Sequence, residues 1–142
     1  MAIQQGMTTA FKKNCLSGLE NFASGTPYTY KIALYDANAD LNTATTAYTT
    51  AHEITASGYT AGGKTLAPTT PLADTTANTA YLSFANVSWT GVSFTCRGAL
   101  IYNSTTNAAV CVLDFGSDKT ATNTFTVTFP ADTSSNAIIR FE

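Results

Sequence analysis

The first apolar pattern along the chain has the periodicity of a helix. Spacings of four, four and three residues place four apolar side chains on one helical face. They are Phe11, Cys15, Leu19 and Phe22. A threonine can cap the start of this segment, and a glycine and a proline follow its end. The sequence therefore predicts one N-terminal amphipathic helix over residues 8–23, preceded by an extended arm of residues 1–7.

From residue 29 onward the apolar pattern changes to a two-residue period. Tyr30, Ile32 and Leu34 alternate with Lys, Ala and Tyr, which is typical of a half-buried strand. Six further short apolar runs span residues 81–84, 87–89, 94–102, 109–115, 124–129 and 137–141. Turn-forming residues separate these runs. This pattern predicts a mainly β single domain over residues 1–142, whose β-rich body, 29–141, is an antiparallel β-sandwich or jelly-roll-like barrel.

Between the first strand and the later runs lies a long polar stretch. Residues 36–62 are rich in Thr, Ala and Asn, with a single apolar anchor at Ile54. An irregular stretch of this length in a small domain is usually functional or partner-facing, so we interpret it as a contact loop. Pro68 and Pro71 then confine residues 64–73 to a sheet edge or a connection.

The clearest hairpin joins runs 94–102 and 109–115 through a polar turn at 103–107. Cys96 and Cys111 flank this turn and could approach each other across the hairpin. With a third cysteine near the N-terminus the count is odd, which favours free thiols in a reducing environment over a disulfide framework. Both interpretations of this pair remain open at this stage.

Composition and charge narrow the classes of function. Charged residues make up 11% of the 142 residues, and the net charge is −2. Soluble domains usually carry about 25% charged residues, so this surface is poor in charge. The few basic residues form no positive stripe, which argues against nucleic acid as a partner. The chain also lacks a signal-peptide pattern and an apolar run long enough to span a bilayer, so we expect a protein made in the cytoplasm with no membrane partner.

Several short motifs suggest catalysis or cofactors. Residues 58–65 match the nucleotide-binding pattern G-x-x-x-x-G-K-[ST], and residues 110–114 form an apolar run that ends in Asp. That chemistry needs a buried strand before the glycines and a helix after them, whereas Pro68 and Pro71 follow here. We therefore interpret the motif as a glycine-rich turn. His52 is the single histidine, and no spacing selects catalytic or metal-ligating residues, so we predict no catalytic site, no metal and no cofactor.

Six segments carry a resemblance to a known family. They are YKIALY at 30–35, HEI at 52–54, GYTAGG at 58–63, RGALIYN at 97–103, VLDFGSDK at 112–119 and NAIIR at 136–140. In this order they resemble a family of small virion structural proteins of tailed bacteriophages, and the resemblance covers nearly the whole chain. It implies a structural component of the particle and no enzyme.

Within this family, the resemblance favours a capsid cement or decoration protein with a jelly-roll-like fold. Its partners would be the major capsid protein and copies of itself, as a dimer or trimer, on the exterior of a virion assembled in the host cytoplasm. A tail, neck or fibre-associated protein is the main alternative, and a carbohydrate-binding module is a more distant one.

Four residues are the candidate contacts with a partner. We place them on the N-terminal arm and on the 36–62 loop, where apolar or amphipathic side chains stand in polar surroundings. They are Ile3, Met7, Tyr48 and Tyr59. If the arm is a free anchor, deleting residues 1–7 leaves a folded monomer that binds particles less well.

Overall fold

A computed structural model describes residues 2–142 as ten strands and one helix. The first five elements are β1 (Gly6–Met7), α1 (Thr9–Leu16), β2 (Tyr30–Tyr35), β3 (Lys64–Thr65) and β4 (Leu72–Asp74). The remaining six are β5 (Thr79–Leu82), β6 (Val87–Thr90), β7 (Phe94–Asn103), β8 (Ala108–Ala121), β9 (Thr124–Val127) and β10 (Ile139–Phe141).

The strands form three antiparallel sheets. A five-stranded sheet has the order β1-β8-β7-β2-β3, a three-stranded sheet the order β10-β5-β4, and β6 pairs with β9. Every pairing between these strands is antiparallel. This confirms the predicted mainly β fold with antiparallel sheets and one helix. The segment 64–73, predicted to be a sheet edge or a connection, contributes the edge strand β3 and the start of the edge strand β4, and the arm 1–7 contributes the edge strand β1.

The main hydrophobic core lies between the five-stranded sheet and the two smaller sheets. From β2, Ile32 and Leu34 enter this core, and Trp89 from β6 and Ile139 from β10 meet them from the other side. Phe11 of α1 is also fully buried there. Because apolar side chains from opposing sheets share one core, the architecture is sandwich-like.

The opposite face of the five-stranded sheet is buried as well. Ala33 and Tyr35 of β2 and Leu100 of β7 form a second core cluster with Ile3 and Leu41. Residues 36–62 hold no strand or helix, and part of this segment lies over this face, attached by isolated bridges from Leu41 to Ile3 and from Glu53 to Tyr35. β2 is therefore buried on both faces. The prediction of a half-buried strand from its alternating pattern is wrong because this second face is covered.

The helix is shorter than the sequence pattern predicts. Thr8 caps α1 by accepting a hydrogen bond from the Phe11 backbone N–H at 3.1 Å, as expected, but the helix ends at Leu16 and not at residue 23. Gly18 adopts a left-handed conformation with φ of +72°, and this conformation ends helices. Phe22 still reaches the core, because the irregular chain after α1 carries its ring to 4.2 Å from that of Tyr30.

The predicted hairpin is present, but its register separates the two cysteines. β7 pairs with β8 from Asn103↔Ala108 onward, with irregularities that shift the register along the ladder. Cys96 lies opposite Lys119, whereas Cys111 lies opposite Ile101. Both thiols are free and buried, which resolves the open question in favour of thiols.

We expect the three thiols to differ in reactivity. Burial raises the pKa of Cys96 and of Cys111 to about 12, and that of Cys15, which is only partly buried, to about 11. Because the thiolate is the reactive form, a thiol reagent at pH 8 should leave Cys96 and Cys111 unmodified in the native protein and modify Cys15 slowly. Mass spectrometry before and after denaturation measures this, and rapid native modification of all three would contradict it.

Candidate interaction surface

The N-terminal arm is part of the folded core and sheet. Ile3 is 8% exposed, forms a bridge with Leu41, and belongs to the second core cluster. Met7 is in β1, opposite Cys111, at the free edge of the five-stranded sheet, and its side chain packs partly against the main core. The Gln4 N–H also donates to the Leu41 carbonyl at 2.8 Å. The structure thus places Ile3 inside the monomer and leaves only part of Met7 accessible to a partner.

The structure brings Tyr48 and Tyr59 together around one carboxylate. The Tyr59 hydroxyl donates to Glu53 Oε1 at 2.8 Å, and the Tyr48 hydroxyl donates to Glu53 Oε2. Tyr59 is 8% exposed, and its hydroxyl oxygen also accepts the Leu34 backbone N–H at 2.9 Å. Burial, as the largest cause, raises the pKa of both tyrosines. This cluster fixes the long loop to β2, so the surface that it offers a partner is one side of Tyr48.

The glycine-rich motif is a turn that leads into a strand. The Gly62 N–H donates to Glu53 Oε1 at 2.7 Å, so an internal carboxylate holds the loop amide. Lys64 is in β3, where its ammonium donates to the Ser88 carbonyl and lies 5.8 Å from the Trp89 ring centroid. The described chain forms no helix after this turn, so the motif lacks the helix N-terminus on which phosphate binding depends.

Metal binding and membrane crossing can both be checked against the geometry of residues 2–142. No group of three His, Cys, Asp or Glu side chains there is placed to hold a metal ion. Within the same residues, the helix falls short of the length and apolar character needed to cross a bilayer. The predictions of no metal and no membrane partner stay predictions.

Two large apolar side chains that are exposed lie near the end of α1 and at β10. Leu16 is 91% exposed and Phe141 is 42% exposed. Together with Lys12 and Cys15 they line one shallow depression, and we refer to these four residues as the Leu16 patch. The Phe141 ring also stacks on the buried Phe11 ring, with 6.0 Å between centroids. Contiguous exposed apolar side chains next to polar groups are typical of protein-binding surfaces.

An apolar hollow of about 150 Å³ continues from this patch. Leu72, which is 47% exposed, lines it together with Phe22, Phe141 and Glu20. Asn103 Nδ2 donates to Glu20 Oε1 at 2.8 Å, whereas the buried Oε2 atom has no hydrogen-bond partner among the described residues. Burial raises the pKa of this carboxyl group, and the hydrogen bond from Asn103 opposes that shift.

The sequence pattern did not predict the Leu16 patch as a contact surface. Leu16 is next to Cys15 but off the predicted apolar face, and an apolar residue at such a position is the available signal of an exposed contact. Phe141 falls inside the predicted run 137–141, where its partial exposure depends on β10 being an edge strand.

Comparison of this chain with protein-family models, with curated proteins and with solved structures found no match.

Proposed function

We propose that this protein is a non-enzymatic structural component of a tailed-bacteriophage particle, and specifically a cement protein that binds the assembled capsid shell. The observation that carries the proposal is the Leu16 patch, where the large apolar side chains of Leu16 and Phe141 are exposed and line the same depression. The resemblance of six segments to small virion structural proteins supports a tailed-bacteriophage particle as the partner. The proposed partners are the major capsid protein and further copies of this chain.

The charge-poor surface suits crowding of many copies. With 11% charged residues and a net charge of −2, neighbouring molecules repel each other little. A protein that binds the assembled shell and not its free subunits stabilises the shell by mass action. Contacts between neighbouring copies add avidity, so each contact with the shell can be weak.

Particles that lack this protein provide the direct test. Purified wild-type protein should co-sediment with them and saturate, whereas Leu16→Asp should reduce occupancy at limiting concentration by about tenfold, because it places a charge in an apolar contact. Leu16 is 91% exposed, so the substitution leaves the core intact. Thr90→Asp adds the same charge at another exposed position and should bind as the wild type does.

Absence of wild-type binding to any part of the particle would contradict the proposal. Electron microscopy of the reconstituted particles distinguishes its two forms. Density on the capsid exterior supports the cement role, whereas density confined to the neck, tail or fibres supports the alternative structural role.

A further inference from the structure

We propose that two copies of this chain associate through the outer edge of β10, with the two Phe141 residues opposite each other and Arg140 of each copy opposite Glu142 of the other. The inference deepens the proposed function by naming the surface for contacts between copies, and it rests on that part of the proposed function alone. Particle binding is not needed to test it.

One side of β10 has no strand partner in the described part of the chain. On its inner side β10 pairs with β5, through Ile139↔Leu82, Arg140↔Tyr81 and Phe141↔Ala80. In the order β10-β5-β4 it is the outermost strand. An edge strand presents unpaired N–H and C=O groups, which a second strand can pair with.

The order of charges at this edge is self-complementary in one register. When two identical strands pair antiparallel about a twofold axis at residue 141, residue 140 of each lies opposite residue 142 of the other. Here that places Arg140 opposite Glu142 twice. A register centred on Arg140 would instead place two arginines opposite each other, which is destabilising. The charges therefore favour pairing with an identical strand in the register centred on residue 141 over the register centred on residue 140.

Both charged groups are accessible for such pairing. The Arg140 and Glu142 side chains are 38% and 67% exposed, and Arg140 Nη1 lies 3.8 Å from Glu142 Oε2 within one copy. Arg140 Nη1 also donates to the Ser135 carbonyl at 2.9 Å, which holds the guanidinium near the strand. In the paired form each carboxylate would face a guanidinium from its own chain and one from the other copy.

Apolar contacts accompany the pairing. Phe141 is 42% exposed at the centre of the proposed register, and Leu16, which is 91% exposed, lines the same depression. A twofold axis at residue 141 brings the two Phe141 side chains next to each other on the same face of the paired strands. Pairing therefore reduces the exposure of Phe141.

Charge variants of the purified protein test the register. Sedimentation velocity over a concentration series should give a monomer–dimer equilibrium for the wild type. Arg140→Glu leaves two acidic groups on each edge and Glu142→Arg leaves two basic groups, so each variant alone should dimerise at least about tenfold more weakly. An equimolar mixture of the two variants restores both opposite-charge pairs and should form a heterodimer. The double variant R140E/E142R should dimerise as the wild type does.

Circular dichroism of each variant controls for folding, and Thr90→Asp, away from this edge, controls for added charge. A wild type that stays monomeric at about 1 mM, a concentration at which even a millimolar self-association is detectable, would overturn the inference. Self-association that the single variants leave unchanged, or a mixture that fails to heterodimerise, would also overturn it. A monomeric protein that still binds particles would refute this inference and leave the proposed function standing.

Discussion

Replacing Gly63 with alanine should lower the free energy of unfolding more than any other glycine-to-alanine change in the described chain. A Cβ at this position would lie 1.7 Å from the carbonyl oxygen of Ile32 and 2.9 Å from the Cα of Ala33, and φ is +77°. Both neighbours are backbone atoms of β2, which is buried on both faces and cannot move aside. We expect a loss of about 4 kcal/mol or more, which is the range of severe steric substitutions.

Gly91→Ala is the matched control. Gly91 also has a positive φ, +66°, but no heavy atom lies within 4 Å of its added Cβ. Gly91→Ala should therefore lower the free energy of unfolding only by the cost of placing a non-glycine residue in the left-handed conformation, about 1–2 kcal/mol. Urea unfolding followed by the fluorescence of Trp89, the single and buried tryptophan, measures both variants. Equal losses for the two would contradict the close approach of the Gly63 turn to β2.

This result bears on the nucleotide-binding pattern. Gly63 occupies the second glycine position of that pattern. In this structure glycine is needed there because the turn lies against the backbone of β2, and not because a phosphate approaches. Lys64, at the lysine position, points to a carbonyl and an aromatic ring of β6. The same residue types can therefore satisfy the packing of a β turn.

Sequence periodicity predicted the strands better than it predicted the helix and loops that pack on the sheets. The alternation of β2 and the turn between β7 and β8 are local signals, and the strand and the hairpin form where they were predicted, although β2 is buried on both faces. The end of α1 was wrong because Gly18 ends the helix while Leu19 and Phe22 continue the apolar spacing by coincidence. Periodicity reports which faces are apolar, and a single left-handed glycine overrides it.

The candidate contacts were less predictable, because burial of a loop depends on distant residues. Ile3 and Tyr59 stand in polar sequence and would be exposed anchors if their segments were free. Ile3 is buried because it covers the second face of the five-stranded sheet together with Leu41, whereas Tyr59 reaches the main core. The sequence shows that Leu16 is apolar. It does not show that Leu16 lies beside Phe141, because that contact depends on β10 packing next to α1.

Deleting residues 1–7 should destabilise the whole protein instead of leaving a folded monomer with a missing anchor. The deletion removes the buried Ile3 side chain, the Gln4–Leu41 hydrogen bond and the pairing of β1 with β8. Ile→Ala alone at a buried site costs about 2–5 kcal/mol, and the deletion adds an unpaired edge on β8. We expect a loss of at least this size, seen as a large decrease in the melting temperature by circular dichroism.

Single substitutions separate the two contributions to that loss. Ile3→Val removes one methylene group and should cost about 0.5–1.5 kcal/mol, whereas Ile3→Ala should account for much of the effect of the deletion. A truncated chain with the melting temperature of the full chain would contradict the integration of the arm. Since unfolding alone would lower particle binding, truncation is no test of an anchor. Substitution of the exposed Leu16, which leaves the arm, the sheet and the core unchanged, is the test that isolates binding from stability.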